Sequence, residues 1–401
     1  SSLAFIDTTL QYGANDVSLS VARNNVAFAD VALSDNQRGV AAALDSAAAP
    51  ASLRSAITSM DVASAQAAFD SLSGEIHAST ASVLLEDSRY VRNTVNDRMR
   101  QGDCGNGDPR SVLAPSSGQQ SSSGCQGQGV GWITALGGWA NHDGGSGVAA
   151  VDRDLSGFML GFDNNLNDQW RAGIAAGYTK TSLDANKRGS DASVDSYHLA
   201  TYLSYQLDAF AARVGAGYSW HDIDTKRHVA AGSYNEELKA KYKAGTAQVF
   251  GEVGYTLEAG GVALEPFAGL AYVNYDSDTG REKGGAGALE ASSKQDATFS
   301  TVGLRAGKQF VLDNGTTVTP RGSVGWRHAF GDTKPDADLR FVDGGAAFNT
   351  QGVPLAKDAA VLEAGLDVSV GAAGKLGVGY SGQLASDNRD HAVTVSFSMG
   401  F

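Results

Sequence analysis

No run of about 18 apolar residues occurs in the 401-residue chain, which excludes a membrane-spanning helix. It does not exclude a membrane, because a spanning β-strand shows its greasy side only at alternate positions. Positive charge is short: 31 Lys and Arg stand against 44 Asp and Glu, a net charge of −13, which argues against a nucleic-acid partner. Cysteine is nearly missing. Cys104 and Cys125 lie in a Gly/Ser-rich stretch with no histidine close by, which argues against a zinc site. A disulfide formed outside the cytosol and a pair of free thiols both remain open readings. The seven histidines are scattered, and neither HExxH nor GxSxG occurs. "GVGYSG" at 377–382 spells a dinucleotide fingerprint, but it falls in a strand pattern with no helix after it. No catalytic residue, cofactor or metal site is expected. The chain opens at Ser1 without a Met or a signal peptide and reads as a mature or excised fragment.

What is abundant is glycine, 50 residues, and alternation. The last eleven residues, "HAVTVSFSMGF", place Val393, Val395, Phe397, Met399 and Phe401 on one side of an extended chain. Small or polar residues fill the other side. From 129 to the end the same period recurs, predicting twelve strands at about 129–141, 150–166, 168–182, 191–208, 209–224, 241–258, 261–277, 296–312, 316–331, 358–371, 374–386 and 390–401. Short connections, such as Asp208-Ala209 and Asp313-Asn314-Gly315, alternate with longer polar ones at 225–240, 278–295 and 332–357. Short turns on one rim and long loops on the other are expected of an antiparallel outer-membrane meander.

The two faces differ in kind. Trp170, Ile174 and Tyr178 alternate with Arg171, Gly173 and Thr179, and aromatics gather at the ends of the apolar faces. A soluble two-sheet sandwich would need larger aliphatics in mid-strand. Lipid outside and a polar lumen inside account for both faces. The lumen charges expected from this register include Glu252, Glu265, Glu363, Asp367, Arg321 and Arg327.

Upstream, residues 1–33 read as two short strands about a Gly-Ala-Asn-Asp turn. Within 34–101, apolar residues from Val62 to Met99 recur at three- and four-residue steps, predicting a long helix capped by Asp61 and weakened at Gly74. Residues 102–128 read as a Gly/Ser-rich linker. The helix carries Arg89, Arg92 and Arg98, expected to sit in the lumen and pair with carboxylates there; a solvated helix outside the barrel is the alternative.

"FDSLSGEIHASTASVLLEDSRYVRNTVNDRMR" (69–100), "WITALGGWA" (132–140), "GFMLGFDNNL" (157–166), "RAGIAAGYT" (171–179) and the terminal "VTVSFSMGF" together resemble the translocator unit of type V secretion autotransporters. "NQRGVAAALD" (36–45) resembles the passenger–translocator junction of members with subtilisin-like or adhesin passengers. The resemblance implies an all-β transmembrane fold: a 12-stranded antiparallel outer-membrane β-barrel with an N-terminal α-helix threading the pore. Residues 1–33 would be the C-terminal remnant of a passenger β-helix. The function implied is export and surface display of the chain's own passenger. Implied partners are the barrel-assembly machinery, periplasmic chaperones, outer-membrane lipid and lipopolysaccharide, with the chain a monomer. Val393, Val395, Phe397 and Phe401 would form the barrel-end assembly signal, read by strand addition to a sheet edge. A free-standing porin-like channel and an outer-membrane barrel hydrolase are the alternatives.

Overall fold

The computed structural model describes residues 3–101 and 129–401, apart from 146, 233 and 372. The linker carrying Cys104 and Cys125 lies outside the described residues. In chain order, β1 (Ile6–Tyr12) and β2 (Val17–Arg23) form a hairpin, followed by α1 (Asp35–Asp45), α2 (Ala51–Thr58), α3 (Val62–Leu72) and α4 (Glu75–Arg100). The wall strands begin with β3 (Val130–His142), β4 (Val151–Asn165), β5 (Trp170–Ala185), β6 (Ser190–Leu207), β7 (Phe210–Ala231) and β8 (Tyr234–Tyr255). After a short β9 (Leu257–Ala259) come β10 (Val262–Ser277), the small β11 (Gly280–Arg281) and β12 (Leu289–Ser292), and β13 (Lys294–Gly307). A short β14 (Phe310–Val311) precedes β15 (Thr317–Phe330), the small β16 (Asp336–Phe341) and β17 (Phe348–Gln351), and finally β18 (Asp358–Val370), β19 (Gly374–Leu384) and β20 (Asn388–Gly400).

Twelve of these strands pair antiparallel in succession, and β20 returns to β3 from Asn388↔His142 to Gly400↔Val130. Closure matters because lipid offers no hydrogen bond to an unpaired strand edge. The expected 12-stranded barrel with its N-terminal helix is therefore the fold observed. Period two then sorts the side chains. Trp170, Ile174, Leu199, Val214, Val249 and Leu270 stand exposed on the outer surface, while Arg171, Arg213 and Glu252 are buried inside. Aromatics mark two levels. Trp170–Tyr205 and Phe162–Phe401 lie near the short-turn rim, at 4.7 and 5.8 Å between ring centroids. Tyr178–Tyr197 and Trp139–His391 lie at the other level, at 5.5 and 5.7 Å. From Trp170 to Tyr178 the chain rises about 27 Å along the strand. At a tilt of about 40° that spans about 20 Å, close to the apolar band of such barrels.

Above the upper aromatics the structure corrects the sequence reading. Residues 225–240 form no long loop. β7 and β8 run on for 22 residues each, β7 to Ala231 and β8 from Tyr234. The loops expected at 278–295 and 332–357 do exist, and they fold into a four-stranded sheet in the order β11-β12-β16-β17. This sheet, α1, α2, α3 and the tall β7–β8 hairpin bury one apolar core that includes Phe28, Leu53, Phe69, Leu238, Leu289 and Phe341. They form a cap over the long-loop end of the barrel.

The helix expected over 62–101 is two helices. Asp61 starts α3 by accepting the Ser64 amide at 2.8 Å. That bond holds the Asp61 carboxyl below its ordinary pKa. Gly74 then separates α3 from α4 at φ 65°, a left-handed backbone that favours glycine. A Cβ there would stand 2.6 Å from Leu289 Cδ1 of the cap sheet. Both constraints make position 74 the hinge where the chain leaves the cap and enters the barrel.

Candidate functional site: the plugged lumen

A helix of 26 residues is about 39 Å long, more than the apolar band is tall, so α4 reaches from one rim to the other. Its first residue, Glu75, meets Arg188 at 2.9 Å and the Ala149 amide at 3.0 Å, both on the long-loop side. Its last turn meets Arg171 and Asp163, which belong to the ends of β5 and β4 at the short-turn rim. α4 packs closest on β6 and β7. A crevice lined by Arg92, Asn93, Asn96, Phe299 and Glu363 runs along its other side.

Three tiers hold the helix, two of charge and one apolar. At the bottom, Arg98 Nε and Nη2 donate to the two Asp163 oxygens at 2.7 and 2.8 Å. Tyr202 also donates to Asp163 at 2.8 Å and accepts from Trp132 Nε1 at 2.9 Å. One step around the wall, Arg100 Nη2 donates to Glu252 at 2.7 Å, and Arg213 and Arg305 bind that carboxylate too. In the middle, Arg89 pairs with Asp390, which also accepts from Tyr90 at 2.7 Å and pairs with Arg153. The Arg327 fork grips Glu86, with Nη2 at 2.9 Å. Above these, apolar packing takes over: Ile76, Val83, Leu84 and Leu85 bury against Val273, Tyr275, Phe299 and Leu355.

The nominated residues divide clearly. Arg89 and Arg98 of α4 meet lumen carboxylates, whereas Arg92 donates to the Gln248 amide oxygen at 3.0 Å. Of the lumen charges, Glu252 and Arg327 contact α4. Glu265 instead binds Arg213 and Arg305, at 3.2 and 2.7 Å, while Glu363 accepts from Ser323 and Asp367 from Arg321. These are wall-to-wall contacts. Sequence reasoning missed Asp390, Arg153, Tyr90 and Gln248. Asp390 and Arg153 sit on inward positions of strands, a signal the alternation carried. Their partnership spans 237 residues and carries no local signature.

At the top of the helix a second cluster joins barrel, cap and plug. Arg227 Nε and Nη2 donate to Glu282 at 2.8 and 2.7 Å. His77 Nε2 shares a hydrogen bond with Glu282 at 2.8 Å, and its Nδ1 shares one with Tyr242 at 3.1 Å. Burial alone would raise the Glu282 pKa. The Arg227 charge and the bonds from Arg227 and His77 overcome it and hold the carboxyl well below its ordinary range.

The barrel closes at the strand that ends the chain. Val393, Val395 and Phe397 face outward on β20, half-exposed, and Phe401 continues past it with its amide donating to Gly129 O at 3.0 Å. All four lie at the β20–β3 seam, where the sheet's first and last strands meet.

The autotransporter β-domain family model matches residues 131–381. Among curated proteins, the extracellular serine protease of Serratia marcescens is 34% identical over 443 residues, covering 100% of this chain and 41% of that protein. The chain thus spans less than half the length of this relative. Among solved structures, the translocator domain of the autotransporter NalP from Neisseria meningitidis superposes with a TM-score of 0.59 at 16% identity, over 80% of this chain and 98% of that one. The β-domain of the Bordetella autotransporter BrkA superposes with a TM-score of 0.51 at 18% identity, over 68% and 99%. At such identities the superpositions bear on fold alone.

Proposed function

The chain belongs to the autotransporter family, and from that premise we propose that α4 is the trailing end of the exported segment, latched in the pore it passed through. The barrel is an outer-membrane translocator with its passenger side exposed. The observation that carries the proposal is the direction of α4. Its C-terminal turn is tied to Asp163 and Glu252 at the short-turn rim, and its N-terminus emerges under the cap beside α3. A chain whose first wall strand starts at that rim, with its upstream part outside, must run through the lumen. The ion pairs stop the helix at one height. The apolar upper tier and the cap seal it.

In this reading the work comes from folding and pairing rather than turnover. The hydroxyl–histidine pairs on the lumen wall, Ser196 with His221 and Ser219 with His198, each at 2.7 Å, are interlocked with Thr246 and Thr179 behind α4. We read them as wall-strapping bonds. The activity named for the Serratia relative is that protein's, and the parts described here are a barrel, a plug and a cap. For assembly, the outward row Val393, Val395, Phe397 and Phe401 is assigned to recognition by the barrel-assembly machinery after delivery by periplasmic chaperones. An alternating strand there can add to an exposed sheet edge. The finished barrel is read as a monomer. Residues 1–33, which include the exposed β1–β2 hairpin, are assigned to the passenger's end.

Single-channel recording in planar bilayers tests the plug. Reversing Arg89 to Glu, alone or with Arg92→Glu, should raise conductance several-fold above the small leak of the plugged barrel. Unchanged plugged conductance in both variants overturns the latch. High conductance in the unmodified protein would favour the porin-like reading.

A further inference from the structure

Strand β8 reads out a membrane profile on its outward face. Tyr255 stands at the lower aromatic level, and Val253, Gly251, Val249 and Ala247 follow through the apolar band. Gly245 lies across from Trp220 at the upper aromatic level. The next three outward residues are Lys243, Lys241 and Lys239, with side chains 78%, 84% and 63% exposed. Four residue steps lift this column about 13 Å along the strand beyond the interface.

The register gives the column neighbours of the same sign. Lys239 stands directly across from Lys226 on β7 and from Lys283 beyond β11. Like charges directly opposite destabilise a sheet. Asp222, Asp224 and Glu237 offset part of this charge through exposed pairs such as Lys241–Asp224 at 2.8 Å, and exposed pairs contribute little and exchange readily. Around the wall in the other direction the sign inverts. The same row continues from Lys226 to Asp191, Asp184 and Asp152, three aspartates on adjacent strands. In a chain of net charge −13, five lysines stand together above the lipid on β7, β8 and just past β11: Lys226, Lys239, Lys241, Lys243 and Lys283.

We propose that this lysine sector binds the phosphate groups of the outer-leaflet glycolipid, lipopolysaccharide, whose acyl chains lie on the smooth outer face of β7, β8 and β10 below it. The proposal rests on the outer-membrane placement and not on the plug. A glycerophospholipid carries its phosphate at one depth and would engage Lys243 alone. A column about 13 Å long on the strand, about 10 Å in depth at a tilt of about 40°, fits a headgroup phosphorylated at more than one depth. The acidic sector beside it repels that headgroup and fixes its position on the barrel.

The test uses the full chain in phospholipid nanodiscs titrated with purified lipopolysaccharide at low salt. The variant K239Q/K241Q/K243Q should bind about 100-fold more weakly, from roughly fivefold per lysine, and the loss should shrink as salt is raised. D152N/D184N/D191N should bind as tightly as the unmodified protein or more tightly. Lipopolysaccharide stripped of phosphate should bind all three proteins equally weakly. Heat-modifiable migration and plugged conductance, both unchanged, show that the variant barrels are folded and still occupied by α4. Equal affinity of the lysine variant and the unmodified protein overturns the proposal. So does competition by phosphatidylglycerol as effective as by lipopolysaccharide for the unmodified protein, which would mean that any single phosphate suffices.

Discussion

Arg98 of the plug and Asp163 of the wall face each other as fork to fork, two parallel bonds at 2.7 and 2.8 Å in a pair buried on both sides. Such a bidentate pair fixes orientation as well as distance. It sets the height at which the last turn of α4 stops. Both side chains are buried, so removing Asp163 takes from the Arg98 guanidinium its bidentate partner in a low-dielectric lumen. Asp163→Ala should weaken docking of the helix by about 3–5 kcal/mol. The readout is protease access to residues 90–100 and the frequency of open-channel events. The exchange R98D/D163R should recover most of the loss, which a general packing defect would not permit.

The hinge makes a different kind of demand. Gly74→Ala adds a methyl at φ 65° with Leu289 Cδ1 at 2.6 Å. The backbone penalty is about 1–2 kcal/mol, with the clash added to it. The cap sheet should loosen while the barrel stays closed. Limited proteolysis should cut first within 331–357, and heat-modifiable migration of the barrel should not change.

Acid should act on the cap through Glu282. Its folded pKa lies below the ordinary value of 4.5, so it adds stability above that value. The contribution fades as pH falls through about 4.5 toward the lower folded value, because protonation breaks the pair with Arg227. Cap opening followed by protease sensitivity should therefore rise as pH drops below about 4.5. In Glu282→Gln the cap should be weaker at pH 7, and its remaining pH dependence flatter. A variant with the full acid response would assign the effect to another group.

Much of this was legible from period alone. Twelve strands, their inward arginines and carboxylates, and the break at Gly74 all carry local signatures. The tall β7–β8 hairpin did not, and the reason is an inversion. Below Trp220 the outward residues are apolar and the inward ones polar. Above it, Asp222, Asp224 and Lys226 point out, while Ile223 and Val229 point in toward the lumen and the cap. Alternation continues, but its sense reverses where the strand leaves lipid, and a search for greasy outer faces stops there. The pairing of lumen charges was illegible for another reason. Arg89 and Arg92 lie three residues apart on one helix, yet one meets Asp390 and the other Gln248. That choice depends on how far α4 is rotated in the barrel, which three-dimensional packing decides. The two substitutions should differ accordingly: Arg89→Glu should open the pore far more often than Arg92→Glu.

Phe401 separates assembly from stability. In the finished barrel its ring is 68% exposed, 5.8 Å from the Phe162 ring, and its amide donates to Gly129 O. Little is buried there, so deleting it should cost the folded barrel no more than about 1 kcal/mol. The β20–β3 ladder from Gly400 to Asn388 is untouched. If the terminal aromatic is read while β20 is still an unpaired strand, the deletion should instead slow insertion in cells by tenfold or more. Pulse-chase appearance of the heat-modifiable form measures the rate, and urea unfolding of the purified barrel measures the stability. Normal insertion kinetics with a wild-type melting profile would assign Phe401 to the lipid interface alone and remove it from the signal.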